Sequence, residues 1–219
     1  MKWSIIIPSY LINARLVALA NKCIASIHKT TKQEYEIIMV ESGEYEVEGA
    51  DILIRLQDQT PFARAVNLGT RVASGEYLVI CNNDLELPEG WEEAIEETFE
   101  SDDNCAIATL QSSEENKPEF DEIREDFFGG FWVIHEESFF DIGDLDEQFV
   151  NSFEDADYWL RTRADGAKIL KNCKLNVLHH ARQTVDIDLL NHSQNYIKNR
   201  ELFNQKHEGS QDSWFAHLR

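Results

Sequence analysis

The sequence predicts an α/β protein built on a Rossmann-like, mostly parallel sheet with helices on both faces. Three observations predict it. Residues 77–81, YLVIC, are a continuous apolar run of the kind that fills a strand buried on both faces. That run ends on Asn82-Asn83-Asp84, and the carboxyl ends of strands in open α/β sheets are where ligands bind. The chain up to that point alternates as β-α-β-β-α-β, the order that gives parallel pairing with crossover helices.

The elements follow in order. Residues 3–7 form the first strand, closed by Pro8-Ser9-Tyr10. From 14 to 27, Leu16, Leu19, Ala20, Cys23, Ile24 and Ile27 keep helical spacing. Residues 36–40, EIIMV, are a second buried strand, stopped by Glu41-Ser42-Gly43, and 51–56 make a short third. Thr60 is positioned to cap a helix starting at Pro61, where proline loses nothing. Its small face carries Ala63, Ala65, Val66 and Ala73, and Ser74-Gly75 ends it. Pro88 and Trp91 open an amphipathic helix over 88–100. Trp91, Ile95 and Phe99 take one face, and Glu89, Glu92, Glu93, Glu96, Glu97 and Glu100 are expected in water.

Residues 105–110 read as a strand, 111–126 as a polar and mobile loop, and 129–134 as a strand again. A helical turn covers 138–143 and a loop covers 144–153. Glu154 opens a helix that Gly166 stops. Two short strands, 168–170 and 175–178, precede His179-His180, and a polar helical pattern runs over 186–206. No repeat or low-complexity linker divides the chain. The expected organisation is one domain over 1–185, with a nucleotide-binding half of about 1–100 and an acceptor half of about 101–185. A C-terminal helical extension covers 186–219.

The 219 residues are 42% hydrophobic, enough for a proper core. Against 20 Lys and Arg stand 41 Asp and Glu, for a formal charge of −21. That balance argues against direct nucleic-acid binding, which rests on cationic side chains displacing counterions. It also means that an anionic ligand needs a cation or a focused set of donors. The four cysteines form no CxxC pair, and Cys81 and Cys105 are expected as buried thiols. The apolar start is too short for a signal peptide, and no stretch is long enough to span a bilayer, so a cytoplasmic chain is expected.

Three clusters carry chemistry. Asn82-Asn83-Asp84 offers hard oxygen ligands suited to Mg²⁺ or Mn²⁺, although for the tripeptide alone a turn rich in Asn and Asp is the commoner explanation. Glu154, Asp155 and Asp157 put carboxylates in the first turn of a helix, where they can act as a base or merely offset the dipole. His179-His180 offers an imidazole to a metal or to the structure.

Together these pieces resemble glycosyltransferase family 2, with the GT-A fold. The matching residues are Pro8-Ser9-Tyr10, EIIMVESG at 36–43, and Asn67-x-Gly69 running on to Ala73-Ser74-Gly75-Glu76-Tyr77-Leu78. Asn82-Asn83-Asp84 with Pro88-x-Gly90-Trp91 also match, as do Phe140-x-x-Gly143-x-x-Asp146-Glu147-x-Phe149 and Glu154-Asp155-x-Asp157 with Arg161. Gly166-x-Lys168, a histidine after the last strand and NRELFNQKH at 199–207 complete the series. The resemblance implies inverting transfer from a nucleoside-diphosphate sugar, a UDP-sugar first, to an acceptor glycan or other hydroxyl compound, with Mn²⁺ or Mg²⁺. By position it implies Pro8, Tyr10 and Glu41 at the base and ribose, and Arg64 and Asn67 along the nucleotide. Asn82 and Asn83 would lie beside the donor. It implies Asp84 as the metal carboxylate and His179 as a late metal or diphosphate contact, with the order of the two histidines leaving His180 open. Asp155, paired with Glu154, would be the catalytic base.

The sequence departs from the pattern at Asn82, which replaces an acid, and at Glu41-Ser42-Gly43-Glu44, where the family often has two acids or Asp-Asn before Gly-Ser. A nucleotidyltransferase is the alternative enzyme, but residues 8–13, PSYLIN, lack its glycine-rich basic phosphate loop. A silent glycan- or nucleotide-sugar-binding module is the alternative outside enzymes. Phe127, Phe128, Trp132 and Phe153 read first as core and second as sugar-stacking rings.

Overall fold

A computed structural model describes residues 2–113, 120–164, 166–180 and 189–208. One nine-stranded sheet runs β3-β2-β1-β4-β8-β6-β9-β5, with β7 paired to β9. The strands of its first half are β1 (Lys2–Ser9), β2 (Glu34–Glu41), β3 (Ile52–Arg55) and β4 (Tyr77–Cys81), all paired in parallel. The helices α1 (Ala14–Thr30) and α2 (Phe62–Thr70) supply the crossovers. Their register brings the ends of β1, β2 and β4 to one edge: Ser9 sits opposite Glu41, and Ile6 opposite Ile80.

The second half mixes directions. It holds β5 (Leu85–Glu86), β6 (Cys105–Ser113), β7 (Ile123–Glu125), β8 (Phe131–His135) and β9 (Lys168–His179). The β8 strand inserts antiparallel between β4 and β6, while β6 and β9 run parallel. Its helices are α3 (Trp91–Glu100), α4 (Glu136–Ile142) and α5 (Glu154–Arg163), and α6 (Leu189–Lys206) follows. No helix among the described residues is long and apolar enough to cross a membrane.

Strand alternation divides the core. Ile5, Ile7, Val79 and Cys81 face α1 and α3, with Trp3 and Trp91. Ile6, Leu78 and Ile80 face α2, α4 and α5, with Trp132, Tyr158 and Trp159. Such two-sided burial is what continuous apolar strands require. A third cluster, Phe149, Phe153, Ala156, Leu160 and Phe203, seats α6 against α5. Trp132 and Phe153 are therefore core rather than open sugar platforms, while Phe127 and Phe128 are half-buried.

Several local readings are corrected. Thr60 does not cap α2: its hydroxyl donates to the Asp58 carbonyl, and the Phe62 N–H is met instead by Asn151 Oδ1 at 2.9 Å. The helix ends at Thr70, before Ser74-Gly75. Glu92 is not solvated. It is 1% exposed, and its oxygens accept from Trp3 Nε1, Lys32 N and Gln33 N at 2.9, 2.7 and 3.0 Å. The expected loop at 111–126 contains the end of β6 and all of β7, and 114–119 lie outside the described residues. The two strands expected at 168–178 are one, with a register shift where Leu110 faces Asn172 and Gln111 faces Asn176. The cysteines are free thiols, with Cys23 and Cys81 Sγ 4.0 Å apart.

Candidate active site

A cavity of about 600 Å³ opens at the carboxyl edge of the parallel strands. One wall is Pro8, Ser9 and Tyr10 from the end of β1, with Asn82, Asn83 and Asp84 after β4. The entry to α2 gives Gln59 to Phe62 and Ala65. The far wall is Gly129 and Gly130 before β8, Val150 and Asn151, then Glu154 and Asp155 at the start of α5, with Asn195 of α6. The two walls meet through backbone: Asn82 N–H donates to the Gly130 carbonyl at 2.8 Å. A side chain at Gly129 would run into Asp155 Oδ2 and Trp159, so the close approach of this turn to the acid needs glycine.

The far wall carries two adjacent acids in different surroundings. Glu154 is 6% exposed, and one of its oxygens, Oε2, has no hydrogen-bond partner. Burial first, and the Asp155 charge second, push its carboxyl up to about 8, so it is neutral at pH 7. Burial also raises Asp155, while the Ala156 N–H, donating to Oδ1 at 2.7 Å, opposes the rise. Asp155 is the more accessible of the two. Both stand just after Phe153, whose φ of 69° is left-handed, as is the 55° of Asn151.

The near wall carries a potential metal pair. His179 Nε2 lies 3.5 Å from Asp84 Oδ1, and both side chains are largely covered. His180 turns away to Glu86 Oε1 at 2.7 Å, which separates the two histidines that the sequence left open. Asn83 Nδ2 is tied to Ser9 Oγ at 2.8 Å. Among the described residues, no third His, Cys, Asp or Glu completes a closed metal centre.

The model of the glycosyl transferase family 2 matches residues 4–165, which include both walls up to α5. This chain belongs to glycosyl transferase family 2. The expected class of enzyme therefore stands: the family is one of glycosyltransferases. Two solved structures share the fold, which is of the GT-A type. A crystal structure of GalNAc-T7 with UDP, GalNAc and Mn²⁺ has TM-score 0.67 and 14% identity, covering 82% of this chain and 44% of that one. S. aureus TarS 1-349 has TM-score 0.62 and 12% identity, covering 81% of this chain and 59% of that one. The chain thus spans about half the length of these relatives. No curated protein sequence matches it.

Of the residues that the family pattern points to, Pro8, Tyr10, Asn82, Asn83, Asp84, Glu154 and Asp155 do line the cavity. His179 stands behind it, against Asp84. Three others lie away from it. Asn67 is 1% exposed, and its amide is used up on Leu145 N and O and on Glu147, which fixes the 144–150 loop to α2. Arg64 is exposed on the outer face of α2. Glu41 is fully buried, with Oε1 accepting from Leu11 N at 2.9 Å and from Gly43 N. It shapes the loop that carries Tyr10 rather than facing the cavity. The sequence reading missed Ser9, Gly129, Asn151 and Asn195. Only the Gly129-Gly130 pair left a signal, because paired glycines before a buried strand mark a close backbone approach.

Proposed function

We propose that the chain transfers a glycosyl group, with inversion, from a nucleoside-diphosphate sugar to an acceptor hydroxyl. One observation carries this reading: a single cavity holds the Asn82–Asp84 strand end on one wall and a desolvated carboxylate, Asp155, on the opposite one. Inverting transfer needs a leaving-group site and a base on opposite faces of the sugar. Pro8 and Tyr10 flank the nucleoside, and Asn83, oriented by Ser9, faces the donor. Asp155 accepts the proton of the attacking hydroxyl. Burial raises its basicity, offsetting the helix N-terminus that would otherwise depress it. Burial favours the neutral form of the neighbouring Glu154, which limits the negative charge beside the reaction space.

The donor set fits a divalent cation. One carboxylate and one imidazole would hold it and leave positions for diphosphate oxygens and water. The imidazole favours Mn²⁺ over Mg²⁺. When bound, the ion supplies positive charge for the leaving diphosphate. No lysine, arginine or histidine among the described residues lines the cavity, so side chains alone do not neutralise that group. Mn²⁺ in the GalNAc-T7 structure supports the assignment by analogy. The test is release of nucleoside diphosphate from a panel of sugar nucleotides with Mn²⁺, Mg²⁺ or chelator. Metal-dependent release from one donor is expected, and silence across the panel would refute the reading.

A further inference from the structure

The helix α6 lies beyond residue 165, where the family match ends. It nevertheless grips the segment that presents the acids. Asn199 is 3% exposed, and its amide hydrogen-bonds to the 150–152 loop. Its Nδ2 donates to Val150 O, Ser152 O and Ser152 Oγ at 3.0, 3.0 and 2.8 Å, and its Oδ1 accepts from Val150 N at 3.4 Å. Below it, Phe203 is fully buried against Phe149 and Phe153. Asn195, one helical turn before Asn199 and on the same face, lines the cavity itself.

This loop needs holding. Asn151 and Phe153 both adopt left-handed backbone, and such conformations persist in non-glycine residues only where the surroundings over-determine them. Phe153 is also the residue from which α5 starts, so its backbone angle sets the direction of Glu154 and Asp155. A relaxed loop would swing Asp155 away from the Asn82–Asp84 wall. A catalytic group displaced by an ångström loses much of its effect.

We infer that Asn199 is a positioning residue for the transfer reaction: through its bonds to Val150 and Ser152 it fixes the strained loop that aims Asp155 across the cavity. The inference rests on the glycosyl-transfer reading. It predicts a division between chemistry and nucleotide binding, because Pro8, Tyr10 and Asp84 stand on the other wall.

The experiment compares wild type, Asn199→Ala, Ser152→Ala, the double variant and Ile197→Ala, a change at an exposed position of the same helix. Turnover at saturating donor and the Kd of UDP with Mn²⁺ are measured for each folded protein. Asn199→Ala is expected to lower kcat at least tenfold with the UDP Kd within about twofold, and Ile197→Ala to change neither. Ser152→Ala removes one acceptor of the latch and is expected to lower kcat less. Added to Asn199→Ala it should do almost nothing, since both act through one contact. Wild-type kcat in Asn199→Ala overturns the inference, as does a parallel loss of kcat and UDP affinity. If Asn199→Ala does not fold, Ser152→Ala decides: a lowered kcat at unchanged UDP Kd supports the latch, and unchanged kcat overturns it. A wild-type protein that turns over no donor refutes the glycosyl-transfer reading instead, before any variant is compared.

Discussion

Glu154→Gln should stabilise the protein increasingly as pH rises. In the folded chain burial and the neighbouring Asp155 lift this carboxyl from 4.5 to about 8. The unfolded chain loses the proton near 4.5 while the folded chain keeps it. Below that value both states are protonated and the native state is not penalised. Between 4.5 and about 8 the unfolded state is the more ionised one, so stability falls by about 1.4 kcal/mol per pH unit. Over the whole window the loss is about 5 kcal/mol. Glutamine is neutral throughout and close to isosteric, so it removes the titration with little change in packing. Urea titrations of both proteins at pH 5.5 and 8.5 read the effect. The variant's advantage should grow by about 3 kcal/mol between them, or roughly 6–12 °C in Tm for a chain of this size. Stability curves that run parallel across this range would show that Glu154 is already ionised at neutral pH, and the burial account of its raised carboxyl would fail.

Three further expectations follow from the geometry. Asp155→Asn should cut kcat by roughly 10²–10⁴-fold with UDP affinity near wild type, and normal turnover would send the search for the base to another residue. Asp84→Ala should abolish Mn²⁺-dependent binding of UDP in a calorimetric titration while unfolding stays cooperative; an unchanged titration removes Asp84 from the metal site. Glu92→Ala, far from the cavity, leaves Trp3 Nε1 and the N–H groups of Lys32 and Gln33 without their acceptor. It should lower stability by about 3 kcal/mol or more, measured by urea unfolding, and a loss below about 1 kcal/mol would mean that water replaces the carboxylate.

The parallel half of the fold was legible because its signals are local. Apolar runs such as 77–81 admit one environment, and the register of β1, β2 and β4 follows from strand and crossover order. Asp84 and Asp155 were legible because each sits at an element boundary. The antiparallel insertion of β8 was not, since strand direction is decided by partners distant in sequence. Glu92 illustrates a periodicity misjudged: it lies three residues before Ile95 and seven before Phe99, hence on the buried stripe, but its charge argued for water. Asn67 shows the opposite limit. A buried amide can serve a ligand or a loop, and only the position of Leu145 decides. Asn151 gave no pattern at all, and Asn199 stood only as the first residue of NRELFNQKH with no role attached, because loop-fixing asparagines are recognised by what they touch.

That no lysine, arginine or histidine among the described residues lines the cavity has a kinetic side. A sugar nucleotide is itself an anion, and it approaches a chain whose formal charge is −21. Free donor is repelled over a distance of about a Debye length, ~10 Å at 0.1 M salt. Metal-complexed donor, with part of its charge neutralised, meets less of this barrier and should be the species that enters. Moderate salt screens the repulsion, so the donor on-rate should rise with ionic strength at fixed free Mn²⁺. That slope is opposite in sign to the one seen where basic clefts steer anionic ligands inward. Stopped-flow association of a fluorescent UDP derivative across a salt series would measure it directly.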